Sequence, residues 1–150
     1  MGFDLSGMNP NLTRPQPELP PMPERTDDDW GDYWKWQEEN CGVYFRNNVW
    51  SWRPLWNFVI KVCDDILTNK DIERGSFNDG HRISKTKANR IAKRLFKLIK
   101  NGDVNLYEKS YKEYLDGLND KDWNRSYPFS VENVRQFANF CANSGGFTIC

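Results

Sequence analysis

The sequence has no long apolar run and no excess of either charge. Its apolar stretches fall far short of the roughly 20 residues that span a bilayer, so a membrane protein is not expected. The 21 basic and 21 acidic side chains sum to a net charge of zero, which argues against a generally basic nucleic-acid coat. With 150 residues, the chain is long enough for one small domain.

Cysteine and histidine are too few and too scattered for a metal site. Cys41, Cys63, Cys141 and Cys150 form no CxxC pair, and His81 is the only imidazole. Structural zinc sites need four such ligands in close pairs, so we expect no metal and no cofactor. No basic segment followed by an apolar one opens the chain, and unpaired thiols are typical of a reducing compartment. The sequence therefore favours a cytoplasmic protein, in the host cell if a phage encodes it.

Signatures of catalysis are equally scarce. The chain contains no Gly-rich phosphate loop, no nucleophile elbow and no clustered carboxylates. The weak catalytic candidates are Asp79 and His81, an acid–base pair in the turn at residues 78–84. Turn chemistry alone explains Asn78, Asp79 and the glycine after them. An enzyme is therefore the minority hypothesis.

What the chain does contain is distributed unevenly. Residues 1–42 carry three basic and nine acidic side chains, together with six of the eight prolines. Because proline fixes φ and lacks an N–H, residues 15–23 are expected to be polyproline-like. We predict a Pro-rich acidic N-terminal extension over residues 1–42, partly mobile, and a single helical domain over residues 43–150. The extension is either a simple acidic tether or a ligand for an aromatic groove.

Four segments show helical periodicity. Apolar residues recur at three- and four-residue steps over residues 54–69, 84–100, 103–118 and 130–144. Ser84 is a good N-cap, and Gly102 is a typical terminator. Residues 42–52 and 147–150 could each form a short strand. The sequence predicts a mainly α fold, a compact bundle of about four helices with irregular aromatic-rich connections and one or two short strands.

The strongest charge feature lies in residues 81–100, which hold eight cations and no acid. On a helix, four of these cations follow three- and four-residue steps and form a row of about 15 Å. We call this row the basic face; it consists of Lys87, Arg90, Arg94 and Lys97. Such a row could follow a nucleic-acid backbone or hold a polyphosphate. The alternative is a solvated face that the acidic residues 1–42 partly neutralise.

Residues 44–56 combine five aromatic side chains with two arginines and two adjacent asparagines. Rings stack on bases, arginine binds phosphate, and asparagine reads hydrogen-bonding edges. The mixture favours a pocket for a nucleotide-like ligand, and the alternative is a small core that uses Trp for volume. Backbone N–H groups at the start of the basic helix would favour an anion nearby. The predicted ligand-binding residues are Arg46, Asn47, Asn48, Trp50, Trp52, Arg53, Asn78, Asp79 and Arg82.

Four stretches of the chain read as motifs. They are MGFD at residues 1–4, YFRNNVWSWRPLW at 44–56, NDG at 78–80, and the ending at 127–150, which starts with YPFS and closes with SGGFTIC. Together they resemble a family of small uncharacterised proteins of bacteriophages, prophages and bacteria, over most of the chain from residue 42 onward. The resemblance implies a cytoplasmic protein made in an infected cell, and it implies no particular activity.

Two features depart from that family. Its members often place the YFRNN block close behind the opening, whereas a Pro-rich acidic segment intervenes here. Some members carry a Cys-rich, zinc-ribbon-like insertion before the YPF motif, but residues 118–125 contain no cysteine. The resemblance therefore does not imply a zinc site in this chain.

The leading hypothesis is a phage-type accessory protein that binds, and so sequesters, a nucleotide-like or phosphorylated ligand. In it a tryptophan of residues 44–56 stacks on the ligand, the two asparagines select it, and Arg53 and Arg82 hold phosphate. The alternative is an interaction module that binds nucleic acid or a host protein through the basic helix 84–100. The sequence does not fix the oligomeric state.

Overall fold

The computed structural model describes residues 1–150 and contains six α-helices and a four-stranded sheet. The helices are α1 (Asp27–Glu39), α2 (Val49–Val62), α3 (Asn69–Arg74), α4 (Lys85–Lys100), α5 (Asp103–Asp116) and α6 (Val131–Asn143), with a 3₁₀ turn at Trp123–Ser126. The strands are β1 (Gly2–Gly7), β2 (Tyr44–Asn48), β3 (His81–Ile83) and β4 (Phe147–Ile149). The fold is mainly α, as predicted, but it is not a simple bundle of about four helices.

The N-terminal strand lies inside the sheet. The strand order is β2-β1-β4-β3 and every pairing is antiparallel. Leu5 lies opposite Phe45 on one side and Ile149 on the other. Phe3 and Leu5 are buried while Ser6 is exposed, the alternation of a strand with one solvated face. The prediction of an extension over residues 1–42 is therefore wrong at its start. Two apolar residues at period two are enough to form a strand here, because β2 and β4 pair with it on both sides.

The end of the predicted extension also folds. Thr26 forms a capping box at the start of α1, and Trp36 is buried. The indole Nε1 of Trp36 donates to the carbonyl of Arg14 at 2.9 Å. The buried Asn40 accepts a hydrogen bond from the backbone N–H of Thr13 at 2.7 Å. These bonds hold part of the Pro-rich segment against α1. Because β1 pairs with β2 and β4, the predicted boundary at residue 42 does not separate two units.

Local capping decides where the helices begin. Ser84 and Ser130 cap α4 and α6, because each side chain accepts a hydrogen bond from the backbone N–H of the residue three positions later. The predicted bounds of these two helices are confirmed. Asn48 caps α2 in the same way, so this helix begins before Pro54. A second capping box at Thr68 starts α3. The helix predicted for residues 54–69 is therefore right over residues 54–62 but wrong in its bounds, because Asn48 starts α2 earlier, α2 ends at Val62, and Thr68 starts a separate helix.

The core lies between the inner face of the sheet and the apolar faces of α2, α4 and α6. The largest fully buried side chains include Trp52, Trp56, Phe137, Phe140 and Phe147. A Cβ atom at Gly75 would overlap the indole ring of Trp56, so this close approach requires glycine. None of the six helices combines the length and the apolar character needed to cross a bilayer.

Candidate functional site

The tryptophans of residues 44–56 do not share one environment. Trp52 is fully buried, stacked between Phe3 at 5.5 Å and Trp56 at 5.4 Å between ring centroids. Its Nε1 donates to the carbonyl of Gly75 at 2.8 Å. Trp50, 43% exposed, packs on the ring of Tyr127 instead. Trp52 is therefore a core residue, and the prediction that it contacts a ligand is wrong.

The two adjacent asparagines have partners within the protein. The amides of Asn47 and Asn133 exchange two hydrogen bonds, at 3.0 and 2.7 Å, which tie β2 to α6. The Oδ1 of Asn48 accepts the N–H of Ser51 at 2.9 Å as the cap of α2. Both amide atoms of Asn47 are thus occupied by structural hydrogen bonds, whereas Asn48 uses its Oδ1 as the helix cap and keeps an exposed Nδ2 amide without a partner in the protein.

The remaining polar candidates gather on and beside the outer face of the sheet. Arg46 lies 3.5 Å from Asp4, and Asn78 donates to the carbonyl of Gly2 at 3.2 Å. Asp79 forms an ion pair with Arg74 at 2.6 Å. Arg82 is exposed on β3 without a hydrogen-bond or ion-pair partner. This face is polar and open, and the ring of Tyr44 on it is half-buried with its hydroxyl donating to Asp4, so the face offers little ring surface for stacking on a base.

His81 does not pair with Asp79. Its Nε2 lies 2.8 Å from Oδ1 of Asp71, a carboxylate whose side chain is 5% exposed. Lys87 lies 2.5 Å from the other oxygen, Oδ2. Burial would raise the pKa of Asp71, but hydrogen bonds from Lys87, from the backbone of Thr68 and from His81 together outweigh burial and lower it to about 2. The proposed Asp79–His81 catalytic pair is therefore absent, and His81 joins a cluster that ties α3, β3 and α4 together.

Replacing Asp71 by asparagine is expected to lower the free energy of unfolding at pH 7 by about 1–3 kcal/mol, because hydrogen bonds to charged groups are lost. Since the folded-state pKa lies below the ordinary value of 3.8, the carboxylate stabilises the fold above pH 4. That contribution, about 2 kcal/mol, should fade as the pH falls from 4 towards 2. Urea unfolding at pH 7 and pH 3 would measure it.

Asp79→Asn is the matched control, because its exposed pair with Arg74 should contribute at most about 1 kcal/mol. The difference between wild type and Asp71→Asn should shrink at pH 3. Equal effects of the two substitutions at pH 7 would contradict a stabilising role for the Asp71 cluster.

The basic face is partly neutralised from within the domain. Arg94 forms a bidentate ion pair with Asp65, with both N–O distances at 2.8 Å. Arg90 lies 3.7 Å from the same carboxylate, and Lys87 forms an ion pair with Asp71. No ion pair joins α4 to residues 1–42, so the alternative in which that acidic segment partly neutralises the basic face is wrong. Lys97 and the neighbouring Lys93 have no intramolecular partner. They line a depression of about 220 Å³ together with Ile66, Arg90 and Arg94.

The most strongly aromatic cavity lies elsewhere, between α2, α5 and the 3₁₀ turn. It has a volume of about 300 Å³. We call it the aromatic cup; its lining residues are Arg53, Pro54, Asn57, Tyr107, Tyr111, Tyr114, Trp123, Asn124 and Tyr127. Tyr107, Tyr111 and Tyr114 follow one another along α5, with neighbouring ring centroids about 6 Å apart. Trp123 meets Tyr127 edge-on at 5.4 Å on the opposite side.

Polar groups in the cup are free or nearly so. Arg53 and Asn57 make no side-chain hydrogen bond or ion pair. Tyr111 donates its hydroxyl to the carbonyl of Tyr127 at 2.7 Å, which joins the two walls. Burial raises the pKa of Tyr107 and Tyr111, so both phenols are neutral donors at physiological pH. The cup can therefore offer ring faces, one guanidinium and amide groups to a ligand.

Comparison with known proteins gives no assignment. No family model matches the chain, and no curated protein or solved structure matches it. Residue roles therefore follow from the geometry described above.

The sequence analysis found only part of the cup. Arg53 lines it, and Trp50 packs behind it through Tyr127. The tyrosines of α5 fall within the helical periodicity predicted over residues 103–118, and Val104 is the only buried residue of that helix. A signal was present, because three tyrosines at three- and four-residue steps form a stripe of amphipathic rings, which suits a partly wet surface. Asn57, Trp123 and Asn124 carried no such signal.

Proposed function

We propose that this protein binds a nucleotide-like, phosphorylated ligand in the aromatic cup. The observation that carries the proposal is the combination of five exposed or half-buried rings with an unpartnered arginine in one cavity. Small-molecule sites are mainly apolar and aromatic, with a few polar groups that fix orientation. A volume of about 300 Å³ is at the small end of the usual range, so the cup suits one ring system with its sugar.

Different residues of the cup would contact different parts of the ligand. Tyr114 and Trp123 are 55% and 61% exposed, and their rings are available to stack on a base. Arg53 is placed to pair with phosphate, for which a planar guanidinium is well suited. The free amide of Asn57 and the carbonyl oxygen of Asn124 would meet the edge of the ring. These residues replace the stacking and selecting roles that the sequence analysis gave to Trp52, Asn47 and Asn48.

The biological role proposed here is that of a phage-type accessory protein that sequesters such a ligand. The resemblance to small bacteriophage and prophage proteins supports this role, and a counter-defence function against a nucleotide signal of the host would follow from it. Nothing in the cup resembles a nucleophile with its base, so the proposal concerns binding rather than turnover.

Tyr114→Ala and Arg53→Ala are the variants that test the cup. Base–aromatic stacking contributes about 1–3 kcal/mol per base, and hydrogen bonds to charged groups contribute about 1.5–3 kcal/mol. Each substitution is expected to weaken the binding of adenosine or uridine monophosphate by at least about fivefold in isothermal titration calorimetry. Both side chains lie at the surface, so thermal midpoints without ligand should stay nearly unchanged.

Arg82→Ala serves as the matched control, since Arg82 is an exposed, unpartnered arginine on the outer face of the sheet. It should leave nucleotide affinity as in the wild type. Loss of binding in Arg82→Ala with full binding in Arg53→Ala would move the site to the sheet and refute the cup.

A further inference from the structure

We infer that the ligand of the aromatic cup is one unit of a single-stranded nucleic acid, whose backbone continues past Lys61 onto α4. This inference rests on the proposed function, because it uses the same cup. It names the class of partner, and three features of the surface support a strand over a free nucleotide.

The cup holds more ring surface than one base can use. Its three tyrosines extend for about 10 Å along α5 at the helical rise of 1.5 Å per residue, and Trp123 and Tyr127 face them. Small-molecule pockets usually enclose most of their ligand. Here Tyr114 and Trp123 are more than half exposed, and one base stacked in the cup would cover only part of its five rings. A row of open rings is typical of proteins on which successive bases stack.

The cup continues into a second depression. This depression, of about 450 Å³, shares Tyr107 and Tyr111 with the cup and is also lined by Lys61, Asp103, Leu106 and Ser110. The ammonium of Lys61 lies 5.3 Å from the centroid of the Tyr107 ring. A cation next to a stacking ring is the arrangement that a base and its phosphate require. Asp103 lies on the same wall and would repel phosphate, so the backbone is expected to pass on the Lys61 side.

Unpaired cations lie beyond Lys61. The next residue, Val62, accepts a hydrogen bond from the guanidinium of Arg94 at 2.5 Å, which fixes α4 against the end of α2. Arg94 forms an ion pair with Asp65. The neighbouring Lys93 and Lys97 have no ion-pair partner, and both line the depression of about 220 Å³. Rings followed by cations form a path along which bases can stack at one end and phosphates can pair at the other.

Oligonucleotide length and salt separate a strand from a free nucleotide. We would measure binding of fluorescein-labelled DNA and RNA strands of two, four and eight nucleotides by anisotropy, at 50 and 200 mM salt. Uridine monophosphate would be measured by calorimetry. The eight-nucleotide strand should bind at least tenfold more tightly than the mononucleotide, and a duplex of equal length more weakly than the strand. The DNA and RNA arms show which sugar is preferred.

The double substitution of Lys93 and Lys97 by alanine tests the path. For single strands, each phosphate contact contributes about 0.7 to the slope of log affinity against log salt. The double variant should therefore lower the slope for the eight-nucleotide strand by about 1.4 and leave the mononucleotide affinity unchanged. Lys35→Ala with Lys70→Ala removes the same charge from exposed positions on α1 and α3 and should change neither value.

The outcomes separate this inference from the proposed function. If mononucleotide binding requires Tyr114 but affinity does not rise with strand length, the inference of a nucleic-acid strand is overturned and the proposed nucleotide site in the cup stands. Absence of binding to mononucleotide and strand alike would overturn both. Strand or duplex binding that is insensitive to Tyr114→Ala would also overturn both, and would place nucleic acid on the basic face alone.

Discussion

A chain shortened to begin at Asn9 is expected to lose cooperative folding. The deletion removes β1, which lies between β2 and β4 and forms backbone hydrogen bonds with both. Phe3 and Leu5 leave the core with it, and β2 loses its only strand partner. Far-ultraviolet circular dichroism and urea unfolding would show a broad or absent transition. The alternative view of residues 1–42 as a dispensable tail predicts an unchanged midpoint.

Point substitutions in β1 keep this test informative if the shortened chain aggregates. Leu5→Ala removes a fully buried side chain and should lower the free energy of unfolding by about 2–5 kcal/mol. Ser6→Ala changes an outward-facing residue of the same strand and should have an effect below about 0.5 kcal/mol. Wild-type stability in Leu5→Ala would contradict the central position of β1.

Trp52→Ala is expected to destabilise the protein by about 3–5 kcal/mol, the usual cost of truncating a buried aromatic side chain. The substitution leaves a cavity between Phe3 and Trp56 and removes the donor to the Gly75 carbonyl. Guanidinium unfolding monitored by circular dichroism measures the effect. Trp52→Phe retains most of the volume and loses the hydrogen bond, so its cost should be intermediate.

Trp50→Ala is the comparison, because Trp50 lies two residues earlier in α2 and is 43% exposed. It loses contact with Tyr127 and should cost about 1 kcal/mol or less. If nucleotide affinity fell in Trp52→Ala while stability stayed at the wild-type value, Trp52 would have to reach a ligand, contrary to its buried position.

The elements that could be predicted from sequence are those in which local signals agree. In α4, a serine cap, an apolar stripe and a terminating glycine point to the same bounds, and α6 is similar. β1 and α1 could not be found in this way. Only two apolar residues of β1 face the core, and the strand exists because β2 and β4 supply partners from distant parts of the chain. Composition marked α1 as an acidic tail, yet one buried tryptophan and a capping box were enough to fold it.

The candidate site was harder to predict for a related reason. Trp50 and Trp52 have similar neighbours in sequence, and only tertiary packing places one at the surface and the other in the core. Asn48 is suited equally to reading a base edge and to capping a helix, and the onset of α2 selects the cap. Arg53 was predicted to bind a ligand, and the structure places its free side chain on the lining of the cup. Its partners in that cavity come from α5 and the 3₁₀ turn, which are far away in sequence.

The pairing of β1 with β4 has a consequence for how the protein is made. Asp4 and Cys150 exchange backbone hydrogen bonds at 2.6 and 2.7 Å in the middle of the sheet. The sheet therefore cannot close during synthesis until Phe147–Ile149 has left the ribosome, whereas α4, α5 and α6 can form and pack earlier. Contacts between such distant residues slow folding, and β1 must wait with its apolar side chains uncovered. During that interval the nascent chain is exposed to aggregation, and its yield in cells should depend on how quickly the residues between β1 and β4 are synthesised.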